Sequence, residues 1–282
     1  MPGTLFVVAT PIGNLEDITA RALRVLRESA LIAAEDTRRT SHLLSRYAIQ
    51  TPTTSLHEHN ETQKSASILA RLQRGDAVAL VSDAGTPTIS DPGRRLICAA
   101  IDAGIRVESV PGPNAAIAAL VVSGFDCDTF SFLGFPPTKS KDRNAWFERL
   151  RKAGPTVVFY EAPHRIRETL ALLQATVGDC DVMVARELTK AHEELVRGPI
   201  SAVLRHLLAP KGEFTVVANV GHSIEIIAIG VPPDNQVLHE FGETTKNKLI
   251  NRRLAIALVA SKYRMTPNAV YAAIERARKS VK

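Results

Sequence analysis

Thr4-Leu5-Phe6-Val7-Val8-Ala9 runs straight into Thr10-Pro11-Ile12-Gly13-Asn14, and then into a segment with Ile18, Ala22, Val25 and Leu26 on one helical face. A short apolar run, a turn of small and turn-forming residues and an amphipathic helix make one strand–turn–helix unit. The same alternation continues down the chain. Strands are predicted over 31–34, 77–81, 106–110, 129–133, 156–160, 182–186, 193–197 and 214–219. Helices are predicted over 38–46, 61–73, 114–123, 142–152, 164–175 and 200–207. Another helix is expected to open at Asp91-Pro92, a side-chain cap with proline in the first helical position. This is the pattern of an α/β protein.

Pro111-Gly112-Pro113 breaks the pattern and reads as a domain boundary, dividing 1–112 from 113–221. Residues 222–237, flanked by Gly221 and containing Gly230 and Pro232-Pro233, read as a linker. Residues 238–282 then close the chain with two helices, about 246–262 and 267–279. A length of 282 residues suits two domains and a small appendage. A chain of this size buries enough surface to need no disulfide or metal staple. Apolar residues at 45% and charged residues at 23% exclude disordered and collagen-like classes, and no fixed-period repeat is present. The longest apolar stretch, Ala115 to Val122, is too short to span a bilayer. Met1-Pro2-Gly3-Thr4 lacks the basic start of a secretion signal. Cys98, Cys127 and Cys180 are widely spaced and read as buried, reduced thiols, so a cytoplasmic protein is expected.

Lys and Arg number 35 and Asp and Glu 29, a net charge of +6. Residues 1–233 hold 25 of each sign, whereas residues 234–282 hold ten basic and four acidic side chains, so the last 49 residues carry the whole excess. Two readings follow: contact with a polyanion such as RNA, or a solvated helical face with a basic end.

Several predicted strands stop at polar clusters. Glu35-Asp36-Thr37-Arg38, Ser82-Asp83-Ala84-Gly85-Thr86-Pro87, Tyr160-Glu161-Ala162-Pro163-His164-Arg165 and Arg186-Glu187-Leu188-Thr189-Lys190 all lie at carboxyl ends, where open α/β sheets bind ligands. The dinucleotide, P-loop, nucleophile-elbow and zinc-protease motifs are all missing. His57-Glu58-His59 reads as ordinary surface, and no metal site is expected. At Pro11–Asn14, Asp83–Pro87 and Gly112–Ala115 the small residues let a ligand approach the backbone closely, and three such turns together favour a small-molecule pocket.

The runs Val8-Ala9-Thr10-Pro11-Ile12-Gly13-Asn14-Leu15, Glu35-Asp36-Thr37-Arg38 and Ser82-Asp83-Ala84-Gly85-Thr86-Pro87 resemble the tetrapyrrole-methylase superfamily, the class III S-adenosylmethionine methyltransferases. Ser90-Asp91-Pro92-Gly93, Gly134-Phe135-Pro136-Pro137, Phe159-Tyr160-Glu161 and Ala185-Arg186-Glu187-Leu188-Thr189-Lys190 extend the match. More narrowly the chain resembles the RsmI branch, which methylates the ribose 2′-hydroxyl of a cytidine in the decoding region of small-subunit (16S) ribosomal RNA. The resemblance implies two α/β domains with S-adenosylmethionine in the cleft between them, a small C-terminal helical domain and a homodimer. It also implies that small-subunit rRNA or an assembled small subunit is the partner, with no membrane involved. Carried over by position, the cofactor contacts are Ile12, Gly13, Asp83, Ala84, Gly85, Thr86, Asn114, Ala115, Tyr160 and Ala185.

Under that resemblance a ribose hydroxyl needs help as a nucleophile. Lys190, Glu35, Asp36 and Glu187 are the candidate catalytic groups. Arg38 and Arg186 are placed to hold phosphates, with Arg186–Glu187 pairing and a surface position for Lys190 as the plainer alternatives. In the tail, Lys246, Lys248, Arg252, Arg253, Arg276 and Arg278 are the expected RNA contacts. Competing readings are a magnesium phosphoesterase built on Glu35, Asp36, Asp83 and Asp91, a non-catalytic RNA-binding module, and a methylase acting on a tetrapyrrole-like substrate.

Overall fold

The computed structural model describes residues 2–207, 211–221, 232–246, 250–263 and 265–280. Two compact units emerge, one of residues Met1–Val122 with Ala185–Glu194, the other of Ser123–Val184 with Leu195–Lys282.

In the first unit the strands are β1 (Thr4–Val8), β2 (Leu31–Ala34), β3 (Thr53–Ser55), β4 (Val78–Val81) and β5 (Arg106–Val110). They form one sheet in the order β3-β2-β4-β1-β5, and every adjacent pair is parallel. The helices are α1 (Ala20–Glu28), α2 (Thr37–Arg46), α3 (Glu61–Gln73), α4 (Arg94–Asp102) and α5 (Ala115–Ser123). A central parallel strand is covered on both faces, so its sequence is apolar throughout rather than alternating. In β4, Val78 and Leu80 join a cluster with Leu56, Ile68, Leu72 and Leu96. Ala79 and Val81 join the opposite cluster with Ala22, Leu26, Leu43 and Leu44. The edge strand β3 carries only Thr53-Thr54-Ser55 and shows no apolar signal, which is why the sequence reading passes over it.

In the second unit β6 (Phe130–Phe132), β7 (Thr156–Glu161), β8 (Asp181–Arg186), β9 (Glu194–Pro199) and β10 (Phe214–Asn219) are ordered β6-β7-β10-β8-β9. Here β6 and β7 are parallel, while β7 and β10 are antiparallel. The helices α6 (Ser140–Lys152), α7 (Ile166–Val177) and α8 (Ile200–His206) accompany the sheet. Trp146, Phe159, Ile166, Leu170 and Val184 belong to its core. The Trp146 indole N–H donates to Leu133 O at 3.0 Å.

Among the described residues three helices follow: α9 (Asp234–Lys246), α10 (Arg252–Tyr263) and α11 (Pro267–Ser280). Val237, Phe241, Val259, Val270 and Ile274 form their own apolar cluster. Leu258 of α10 enters the core of the second unit, with Ile250 and Leu254 packed beside it. The C-terminal helices therefore bury part of the sheet domain's core.

Several expectations need correction. The helix α9 starts at Asp234, inside the predicted linker, because Pro232-Pro233 precedes a helix rather than ending a loop; residues 222–231 of that linker lie outside the described residues. Pro111-Gly112-Pro113 is not a boundary. It is a strand-end turn of the first unit, tied by Thr86 Oγ1 donating to Pro113 O at 3.2 Å, and α5 stays with that unit through Val122. Asp91 does not cap α4. That helix begins at Arg94, and the buried Glu61 carboxylate of α3 accepts from Gly93 N (3.1 Å) and Arg95 N (2.8 Å) instead. Cys98 and Cys127 are exposed, so the buried-thiol expectation fails for them, while Cys180 is half-buried against the core of the second unit.

Candidate functional site

All five strands of the first sheet end at one edge, because all are parallel. The chain places β2, β3 and β4 on one side of β1 and then crosses to put β5 on the other, so the order reverses around β1. Ligands of open α/β sheets bind at such a reversal. The turns that follow β4, β1 and β5 are the three small-residue turns.

Short polar links join the first two of these turns. Thr10 N donates to Gly85 O at 2.8 Å and Gly85 N to Thr10 O at 3.0 Å. The buried Thr10 hydroxyl also donates to Ser82 O at 3.3 Å. Gly85 has φ +78°, a conformation that a side chain disfavours. Asn114 caps α5, its side-chain oxygen accepting from Ile117 N at 3.1 Å. Ile12, Gly13, Asp83 through Thr86, Asn114 and Ala115 thus share one edge of one sheet. Ala185 groups with this unit as well, whereas Tyr160 lies in the other.

The candidate catalytic groups fall into two sets. Glu35 and Asp36 stand at the end of β2 and interlock with Asp83: Asp83 N donates to Glu35 Oε2 at 3.3 Å, and Asp36 N to Asp83 Oδ1 at 2.9 Å. Asp36 also caps α2, accepting from Arg38 N at 2.8 Å, and takes both arms of the Arg38 guanidinium at 3.1 and 2.7 Å. Those hydrogen bonds hold its carboxyl well below the usual range, which makes it a poor proton acceptor. Glu35 is shifted upward, chiefly by burial and further by Asp83. Asp91 is pushed up to about 6 by burial and by the charges of Glu35 and Asp83, against a hydrogen bond from Ser82. Among the described residues no group of three or more His, Cys, Asp and Glu could hold a metal ion.

Glu187 and Lys190 form the second set, on the turn after β8. Lys190 Nζ lies 3.0 Å from Glu187 Oε1, with the lysine side chain 28% exposed. Arg186 pairs with Glu194 at 3.2 Å. Glu187 (φ +52°) and Thr189 (φ +66°) are both left-handed non-glycine residues. Strain of this sort, held by its surroundings, clusters at working sites. Gly13 is what lets this turn approach: a Cβ there would stand 2.5 Å from Lys190 Cγ, 2.8 Å from Thr189 Oγ1 and 2.9 Å from Leu188 O. Asn14 N donates to Thr189 Oγ1 at 3.0 Å. Lys190 is therefore brought against the first small-residue turn. Sequence reasoning missed Thr10, Glu61 and Thr189; the only trace of Thr189 was its place in the quoted Ala185–Lys190 run.

Most of the predicted RNA-binding residues are exposed but paired. Lys246 meets Glu243 at 2.5 Å, and Arg276 grips Asp234 at 2.7 and 2.9 Å. Arg252 and Arg278 approach Glu275 at 3.9 and 4.0 Å, with Arg252 5.9 Å from the Tyr271 ring centre. Arg253 is exposed, with no acidic partner among the described residues. Lys248 lies outside the described residues.

A model of the tetrapyrrole (corrin/porphyrin) methylases matches residues 4–204. The chain belongs to this family. It is 42% identical over 272 residues to the ribosomal RNA small subunit methyltransferase I of Vibrio cholerae, covering 95% of this chain and 92% of that one. The protein of the same name from Thermotoga maritima is 48% identical, and 76% of this chain accounts for 97% of it. About a quarter of this chain thus has no aligned counterpart there. Among solved structures the methylase fold is shared with a diphthine synthase (TM-score 0.61, 13% identity, 77% of this chain and 90% of that one). It is also shared with the Thermus thermophilus uroporphyrin-III-C-methyltransferase (TM-score 0.53, 20% identity, 77% and 95%).

Proposed function

We propose that the protein transfers a methyl group from S-adenosylmethionine to the ribose 2′-hydroxyl of a cytidine in small-subunit ribosomal RNA. The observation that carries this reading is the packing of the strained Glu187–Lys190 turn onto Gly13, beside the order reversal where the small-residue turns gather. Relatives 42–48% identical to the chain, covered over most of their length, are named as ribosomal RNA small subunit methyltransferases, which supports the methyl transfer and the rRNA substrate.

The donor set suits this cofactor. Main-chain groups and short side chains of Ile12, Gly13, Asp83 through Thr86, Asn114 and Ala115 offer hydrogen bonds to an adenosine and an amino-acid end without bulk. When bound, S-adenosylmethionine supplies an electrophilic methyl on sulfur. The protein's share is alignment, since holding reacting groups in line removes much of the entropic barrier. Glu187, oriented by its ion pair with Lys190, accepts the proton that the hydroxyl gives up. Asp83 holds the β2 and β4 turns in register, and Glu35 supports it. Arg38, 88% exposed, is free to swing from Asp36 to a phosphate.

The protein is expected to work in the cytoplasm, where its substrate is, and as a homodimer. Ile117, Val121 and Val122 leave an apolar strip of α5 exposed, which supports self-association. Among the described residues no helix is long and apolar enough to cross a membrane.

Labelled S-adenosylmethionine, offered with naked rRNA in one arm and with small subunits lacking the modification in another, tests the reading. Label on one cytidine ribose is the expected result, and no transfer in either arm refutes it. Lys190→Met should keep cofactor binding by calorimetry and lose turnover; normal turnover would remove Lys190 from the site.

A further inference from the structure

At the carboxyl end of β6, in the second unit, Phe135 is 52% exposed, although burying its ring would be favourable. Its mount is rigid. Leu133 N donates to Val158 O at 2.9 Å, and Tyr160 N donates to Gly134 O at 3.0 Å. Leu133 O accepts from the Trp146 indole, and Pro136 O accepts from Arg165 Nη2 at 2.5 Å. Arg165 is held in turn by the fully buried Glu161 carboxylate at 3.4 Å. The Tyr160 ring supports Phe135 from one side, with centres 5.3 Å apart, and Phe132 backs Tyr160 at 5.0 Å. Lys139 and Lys141, a few residues further on, are both exposed.

We propose that Phe135 is a stacking platform for a nucleobase of the RNA substrate, an inference that rests on the rRNA reading above. A fixed aromatic face beside exposed cations is how proteins hold single-stranded nucleic acid: the ring takes any base and the cations take the phosphates. RNA bases become available to such a ring when they are unstacked and splayed out. Because four contacts already immobilise the backbone around Phe135, little ordering entropy is lost when a base lands on it.

The test is steady-state methylation of small subunits lacking the methyl group, with cofactor affinity measured separately by calorimetry. Phe135→Ala should raise KM for subunits roughly tenfold, the scale of one lost base stack, and leave kcat and cofactor affinity near wild type. Phe135→Trp should restore KM. Phe135→Leu, which keeps apolar bulk without a π face, should not. An unchanged KM in the alanine variant, or full recovery with leucine, overturns the proposal. A loss of cofactor affinity with KM for subunits intact also overturns it, by assigning the ring to the adenine of the methyl donor. Should the alanine variant fail to fold, the leucine–tryptophan comparison decides. A wild-type protein that transfers nothing removes the rRNA reading itself, and this inference with it.

Discussion

The two sheet edges are built by different means. In the first unit five parallel strands end together, and their turns are joined by main-chain and short-side-chain hydrogen bonds: Thr10 to Gly85 and Ser82, Asp83 to Asp36 and Glu35, Thr86 to Pro113. In the second unit the sheet is mixed, and the end of β6 and β7 is fixed by a buried Glu161–Arg165 pair and a packed set of aromatic rings. Many weak links spread over several turns leave backbone available to a ligand and tolerate single losses. One buried charge pair concentrates the support, so removing one partner leaves the other unpaired in a poorly solvated place.

The largest effect should come from Glu161→Ala. It strands the Arg165 guanidinium and should lower unfolding free energy by about 3–5 kcal/mol in urea titrations; a change below ~1 kcal/mol would mean that the second edge is as redundant as the first. Gly13→Ala comes next. Its Cβ must displace the Leu188–Lys190 turn, which should cost about 1–3 kcal/mol of stability and about 100-fold in methyl transfer. A fully active variant would show that the turn yields without consequence.

The tail should matter less, since one exposed arginine contributes a single phosphate contact. Arg253→Ala should reduce the slope of log affinity against log salt for rRNA by about one and leave cofactor binding alone. Point substitution is preferable to truncation at 238, which would cut α9 and uncover the core face that Leu258 fills.

Asp91→Asn should have an effect that appears only above a certain pH. The Asp91 carboxyl is raised in the folded protein to about 6 from 3.8, so folding favours its protonated form. The penalty is absent below about pH 4, grows as pH rises through the folded value and is complete above it. Thermal unfolding should therefore show the asparagine variant equal to wild type at pH 4 and more stable at pH 8. Equal melting temperatures at both would mean that Asp91 is neither desolvated by burial nor repelled by Glu35 and Asp83.

Much of the architecture was legible where one physical signal dominated. Strand 31–34, helix 61–73 and strand 214–219 match to the residue, because unbroken apolar runs mark central strands and a 3.6-residue period marks a helix that buries one face. The edge strand β3 and the helix α9 were invisible for the opposite reason: one buries little, and the other follows two prolines. Within the site, the small-residue turns were readable as motifs. Their partners were not. Glu61 caps a helix 32 residues away, and Arg186 meets Glu194, because such pairings are set by what the fold brings near.

The amino-acid order alone determined the alternating strands and helices, the basic C-terminal excess and the turns with room for a ligand, since these depend on side-chain type and local spacing. Tertiary structure decided that Gly13 meets Lys190, that Asp91 joins Glu35 and Asp83, and that Phe135 stands exposed on a braced loop. Those are matters of distance between residues far apart in the chain, and only the packing of complete sheets and helices sets them.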